Sequence, residues 1–111
     1  MLSLVIHTPD SQLGRKGTQS FEETFRSGVG SAYALNSKIY PQIHLGCRVV
    51  LLCKDRSLRA EGQLVHLEPS IRNGIPWVTG NYIQRYNVHV KNFEMVPYKS
   101  EALNKNGVAV I

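Results

Sequence analysis

From Tyr82 to Val90 the apolar and polar positions alternate, with Tyr86, Val88 and Val90 on one face and Arg85, Asn87, His89 and Lys91 on the other. A repeat of two is the period of extended chain, and this pattern predicts an antiparallel strand with one buried and one wet side. Phe93, Met95 and Val96 carry apolar content past Asn92, which predicts a bulge or bend at that point. Upstream, Cys47–Cys53 is an apolar run entered through Gly46, interrupted only by Arg48, and stopped by the polar cluster Lys54–Ser57. Leu58–Leu67 is long enough to return beside it, so the two make a β-hairpin.

The rest of the chain is shorter in its signals. Leu2–Ile6 reads as a first strand with Leu2, Leu4 and Ile6 on one face, ended at Pro9. Ser20 and Glu23 have capping-box spacing, and Phe21 and Phe25 stand four apart, which predicts a short helix ended near Gly28-Val-Gly30. Ser31–Lys38 reads as a second short helical piece with Ala32, Leu35 and Ile39 turned inward. Asn73-Gly74 marks a turn, and Ile75–Thr79 a short strand or ordered loop. After Pro97, Lys99–Asn106 is a polar spacer, and Val108–Ile111 is expected to pair with the sheet.

Five or six strands with one or two short N-terminal helices define a mainly β (β-rich α+β) domain. The expected architecture is a small, strongly curled antiparallel sheet or β-barrel, whose closure would protect apolar edges. A chain of 111 residues has the length of one domain, here residues 1–111.

Composition adds three constraints. An apolar fraction of 42% belongs to a folding chain, and no apolar run nears the ~20 residues that cross a bilayer. The opening segment lacks a basic leader and cleavage site, so cytoplasmic residence is the expectation. Cys47 and Cys53, six apart on one strand, share a face beyond disulfide reach and read as buried thiols. His7, His44, His66 and His89 have no zinc spacing with them, so neither a metal nor a cofactor is announced.

The formal charge of +5 favours polyanions, nucleic acid ahead of anionic lipid. The stripe Arg85, Asn87, His89 and Lys91 is the leading contact surface: its cations suit phosphates, its Asn and His suit sugar or base edges. Arg56 and Arg59, flanking the first hairpin, are expected to turn towards the same groove. Trp77 is the candidate base-stacking platform. Gly14-Arg-Lys-Gly17 offers Arg15 and Lys16 for a phosphate, although no Walker ending follows. Catalysis has little support. His7 with Asp10 lacks a third partner, no nucleophile elbow surrounds Ser11, Ser20 or Ser31, and His66 between Val65 and Leu67 reads as a core or boundary residue.

Lys38–Gly46, the strand Cys47–Cys53 and the segment Arg59–Val65 follow one another in an order that resembles the PUA-like superfamily of small β-barrels. That superfamily includes RNA-binding modules and modified-base readers. Gly46 resembles the glycine that opens a strand in that family, and Gly62 the small residue where the returning strand bends. Cys47 departs from the pattern, standing where an acidic residue often follows the glycine. The likeness implies a fold and not an activity.

The expectation is therefore a non-catalytic nucleic-acid-binding module whose partner is RNA or DNA, with a homodimer as its assembly. The alternative is a small-ligand or protein-interaction domain with a barrel mouth rimmed by Tyr33, Tyr40 and Trp77.

Overall fold

A computed structural model describes residues 2–10 and 19–111. In chain order the elements are β1 (Leu4–His7), α1 (Phe21–Ser27), β2 (Val29–Ala34), β3 (Arg48–Cys53), β4 (Leu58–Pro69), β5 (Ile71–Arg72), β6 (Ile75–Pro76), β7 (Arg85–Met95) and β8 (Val108–Val110). Six strands form one strongly curled, mostly antiparallel half-barrel sheet in the order β2-β7-β4-β3-β1-β8. β5 and β6 form a separate ribbon. The pairing of β1 with β3 is parallel, Leu4 facing Val49 and Ile6 facing Leu51, which makes the sheet mixed.

β3 is apolar without alternation because both of its faces are covered. On the concave side Val49, Leu51 and Cys53 join Leu4, Ile6, Leu64, Val88, Val90 and Val108 in the main core. On the other side Val50 and Leu52 pack with Val5 beneath Leu103 and Ala109. The polar spacer after Pro97 thus leads a strap across the back of the sheet. Cys47 and Cys53 are both buried free thiols, and β8 pairs with β1 as its apolar residues predict.

Helix α1 closes one end of the core. The Ser20 hydroxyl accepts the Glu23 N–H at 3.0 Å, and Gly28, at φ 73°, ends the helix by donating its N–H to the Thr24 carbonyl at 2.9 Å. Only glycine fits there, because a Cβ would stand 2.6 Å from the Val90 carbonyl oxygen. Phe21 and Phe25 lie with ring centroids 6.3 Å apart, and Phe25 meets Phe93 at 5.9 Å.

Three bulges bend the sheet. In β7 Asn92, at φ 60°, is the extra residue that lets both Val90 and Phe93 face the core, as the apolar pattern anticipates. Gly62 of β4 lies against this bulge, where a Cβ would stand 2.6 Å from Val90 Cγ1 and 2.9 Å from the Lys91 carbonyl oxygen. A second shift, between Leu64 and His66, makes Val65 the extra residue of β4. The third lies in β2 between Gly30 and Tyr33, with Ala32 at φ 62°.

That last bulge corrects the expectation of a helix over Ser31–Lys38. The residues through Ala34 are a strand paired with β7; Gly30, opposite Val88, and Tyr33, opposite Tyr86, face the core on either side of the bulge, and Ala32 and Ala34 are buried as well. Small residues show almost no hydrophobic period, and the bulge at Ala32 breaks what alternation there is, so the strand was hidden. His66 also differs from expectation: the Val65 bulge leaves it exposed on the outer surface.

Candidate functional site

The polar stripe of β7 is the natural place to look for a site, and much of it braces the fold. The β2 bulge withdraws the Ala32 N–H and C=O from the ladder. Asn87 Oδ1 accepts that N–H at 3.1 Å, and Arg85 Nη1 donates to that carbonyl at 2.7 Å. Asn87 Oδ1 also accepts the buried Ser70 hydroxyl at 2.7 Å, while its Nδ2 donates to Glu68 Oε1 at 3.1 Å. Burial without these partners would leave several polar groups unsatisfied. His89 Nε2 stands 3.4 Å from the same Glu68 oxygen, and its ring lies 5.7 Å from that of His66. Bonds from Asn87 first and His89 second hold the Glu68 carboxyl below its ordinary pKa. Lys91, in contrast, is exposed.

Next to the stripe the ribbon is tied down by main-chain bonds. Trp77 N–H donates to the Ser70 carbonyl at 2.8 Å, and Arg85 N–H to the Trp77 carbonyl at 2.9 Å. Gln84 Nε2 reaches the Ser70, Trp77 and Arg85 carbonyls at 3.3, 3.1 and 2.7 Å. Trp77 is half-buried, with the guanidinium carbons of Arg72 and Arg85 lying 5.0 and 5.1 Å from its ring centroid. The expected stacking platform is thus already occupied by cations, an arrangement that stabilises both partners.

Arg56 and Arg59 do not converge on this surface. Arg56 ion-pairs with Asp10 and Glu22 at the far end of the hairpin, and the bond from Arg56 holds the pKa of the Glu22 carboxyl at about 2. Arg59 is only 5% exposed, with Nη1 at 2.7 Å from Glu101 and Nε at 3.1 Å from Glu61. It also donates to the Lys99 carbonyl at 2.9 Å, so it pins the strap. Burial disfavours its charge, yet the bonds from Glu101 and Glu61 leave its pKa raised. The charge of a nearly buried guanidinium between two carboxylates is offset by them, and little of its surface is open to a polyanion.

The remaining candidates separate as well. Arg15 and Lys16 lie outside the described residues. His7 Nε2 accepts the Lys54 N–H at 3.1 Å, while Asp10 is taken by Arg56 and Cys53. Tyr33 packs on the core and donates its hydroxyl to the His7 carbonyl at 3.0 Å, with burial pushing its pKa up. Tyr40 packs on Tyr86, ring centroids 4.9 Å apart. Tyr33 is thus packed on the core, while Tyr40 remains exposed beside Tyr86.

A different grouping emerges from the charges. Thr24–Lys54 and Pro69–Phe93 contain no carboxylate. Asp10, Glu22, Glu23, Asp55, Glu61, Glu94 and Glu101 belong to the first half of β4 and its partner stretch of β7, to α1, to the β3–β4 turn, or to the flanking segments. Glu68 is the exception beside the ribbon. Lys91 pairs with Gln63, close to the Glu61–Glu94 position of the ladder, whereas Arg72 and Arg85 stand at the opposite end. Beyond them Ile71, Ile75, Val78 and Tyr82 are exposed, Tyr82 to 89%. Arg72 and Tyr82 were missed by attention to the alternating stripe; the acid-free run from Pro69 to Phe93 was the readable signal.

Among the described residues no helix is long and apolar enough to cross a membrane, and no cluster of His, Cys, Asp or Glu suits a metal ion. No family model, curated protein or solved structure matches the chain.

Proposed function

We propose that this chain is a non-catalytic nucleic-acid-binding module that uses the ribbon β5–β6 and the adjoining part of β7. The observation that carries the reading is the segregation of charge: Arg72 and Arg85 occupy an end of the fold where Glu68 is the sole carboxylate among the described residues, and Lys91 adds an exposed cation further along β7. A surface of one sign attracts a polyanion over the distance that opposite charges would otherwise cancel. Lys91 and Arg72 are the phosphate contacts, and His66 and His89 offer hydrogen bonds beside them. Arg56 and Arg59 have no part in it.

Membership of the PUA-like superfamily belongs to the same proposal. Gly46, at φ 86°, leads into β3, and Gly62 stands where β4 bends over β7. Both support a likeness of fold alone. The test of function is anisotropy of labelled short single-stranded and duplex DNA and RNA at low salt. Saturable binding to at least one polymer is expected; none with any of them would contradict the reading.

A second reading rests on a cleft of about 400 Å³ lined by Tyr40, Ile43, His44, Leu45, Leu64 and His66. Its walls suit a small apolar ligand with one hydrogen-bonding group. Chemical-shift changes at Ile43 and Leu64 on fragment addition would support it; unmoved resonances would remove it.

A further inference from the structure

Tyr82 is the most exposed large apolar side chain among the described residues, and its backbone is held in the left-handed region at φ 61°. A bulky residue rarely adopts that conformation, and glycine or asparagine would relieve it. The turn is rigid. Thr79 Oγ1 accepts the N–H groups of Asn81 and Ile83 at 3.2 and 3.1 Å, and the Tyr82 N–H donates to the Thr79 carbonyl at 2.9 Å. Thr79 N–H in turn donates to the Ile83 carbonyl at 2.8 Å, and Val78 bridges to Gln84. The ring is thus presented to solvent at the tip of a tight hairpin whose base is Trp77 and Arg85.

Three residues of extended chain separate that tip from the base, a span of roughly 10 Å. One short stretch of polymer can meet the ring and the Arg72 and Arg85 guanidinium groups together. An aromatic face gains by stacking on an apolar or π surface, and the cations at its side select a polyanion over an apolar partner. Duplexes bury their base faces in the stack, whereas single strands expose them.

We infer that Tyr82 stacks on an unpaired base, and that the ligand class of this surface is single-stranded nucleic acid. This rests on the nucleic-acid-binding reading above. Trp77, its faces engaged by arginine, serves instead to position the cations.

The test compares the parent with Tyr82→Asn, which suits the left-handed turn and removes the ring, and with Tyr82→Phe and Tyr82→Trp, which keep one. Affinity for short single strands should fall roughly five- to 150-fold in Tyr82→Asn, the range for removing one base stack. The two aromatic variants should bind as the parent does. The salt dependence should be unchanged in all three, because no charge is altered. A strand carrying 5-bromouracil should cross-link to Tyr82 under ultraviolet light. Binding by the parent with no loss in Tyr82→Asn and no cross-link would overturn the stacking role while leaving nucleic-acid binding intact. Duplex bound as tightly as single strand would overturn the ligand class. A dimer that Tyr82→Asn dissociates would assign the ring to a second copy of the chain and overturn the inference. Absence of any binding by the parent would instead defeat the underlying functional reading.

Discussion

Asn87 accepts the main-chain N–H of Ala32 at 3.1 Å, and through that bond a residue of the β7 surface stripe holds the bulge of the neighbouring strand. The Ser70 hydroxyl shares the same acceptor, so one amide joins β2, β7 and the entry to the ribbon. Replacing Asn87 with alanine should cost about 1–3 kcal/mol, the penalty for stranding polar groups that water reaches poorly. Denaturant unfolding checks the magnitude. Faster hydrogen exchange at Ala32 than elsewhere in β2 would locate the loss; unchanged exchange there would contradict the bracing role.

Arg59 makes a sharper prediction because it is nearly buried between Glu61 and Glu101. Removing one member of a buried ion pair leaves a charge without a partner, and Arg59→Ala should cost about 3–5 kcal/mol. The strap should also loosen, since Arg59 holds the Lys99 carbonyl. Limited proteolysis between residues 97 and 106 reads that second effect. A variant as stable and as protease-resistant as the parent would refute it.

These two residues show what the sequence hides. Alternation along β7 revealed which side chains face the core, and Val88 and Val90 are indeed buried there. It said nothing about what the outward side chains would meet, because Ala32, Glu68 and Ser70 reach them through pairings distant in the chain. Arg59 read as a surface cation for the same reason: Glu101 stands forty-two residues away in a segment that looked like a spacer. The bend after Asn92 was legible because the apolar pattern slips there. The bulge of β2 was not, since glycine and alanine carry too little hydrophobic contrast.

Gly62 tests the origin of the curl. A methyl group at this position meets Val90 Cγ1 and the Lys91 carbonyl, both fixed by the β7 bulge. Gly62→Ala should destabilise the domain by about 1–3 kcal/mol, the usual penalty of overpacking. Parent-like thermal stability would mean that the two strands can separate without cost.

His7 gives the pH dependence a sign. Burial, the leading cause, lowers its pKa below the ordinary 6.5, and Nε2 is engaged with the Lys54 N–H. The unfolded chain then binds this proton more readily than the folded one. Stability should fall as pH drops below about 6.5, through the window between the unfolded and folded values. Imidazole titration by NMR should place His7 below that value, with the proton on Nδ1 in the neutral form. A pKa at or above it would contradict the assignment.

The central claim is that the acid-poor end of the fold binds a polyanion, and its most direct test is the salt dependence of binding. Arg72→Ala combined with Lys91→Ala removes two cations that are not paired with carboxylates in the hydrogen-bond and ion-pair network described above, and it spares Arg85, whose removal would disturb the β2 bulge. Affinity of parent and double variant for one short single strand should be measured by anisotropy across a series of salt concentrations. The parent should weaken linearly in log affinity against log salt. The variant should bind less tightly, with a slope shallower by about 0.7 for each phosphate that the protein no longer neutralises. A correctly folded double variant with the parent's affinity and the parent's slope would contradict the account.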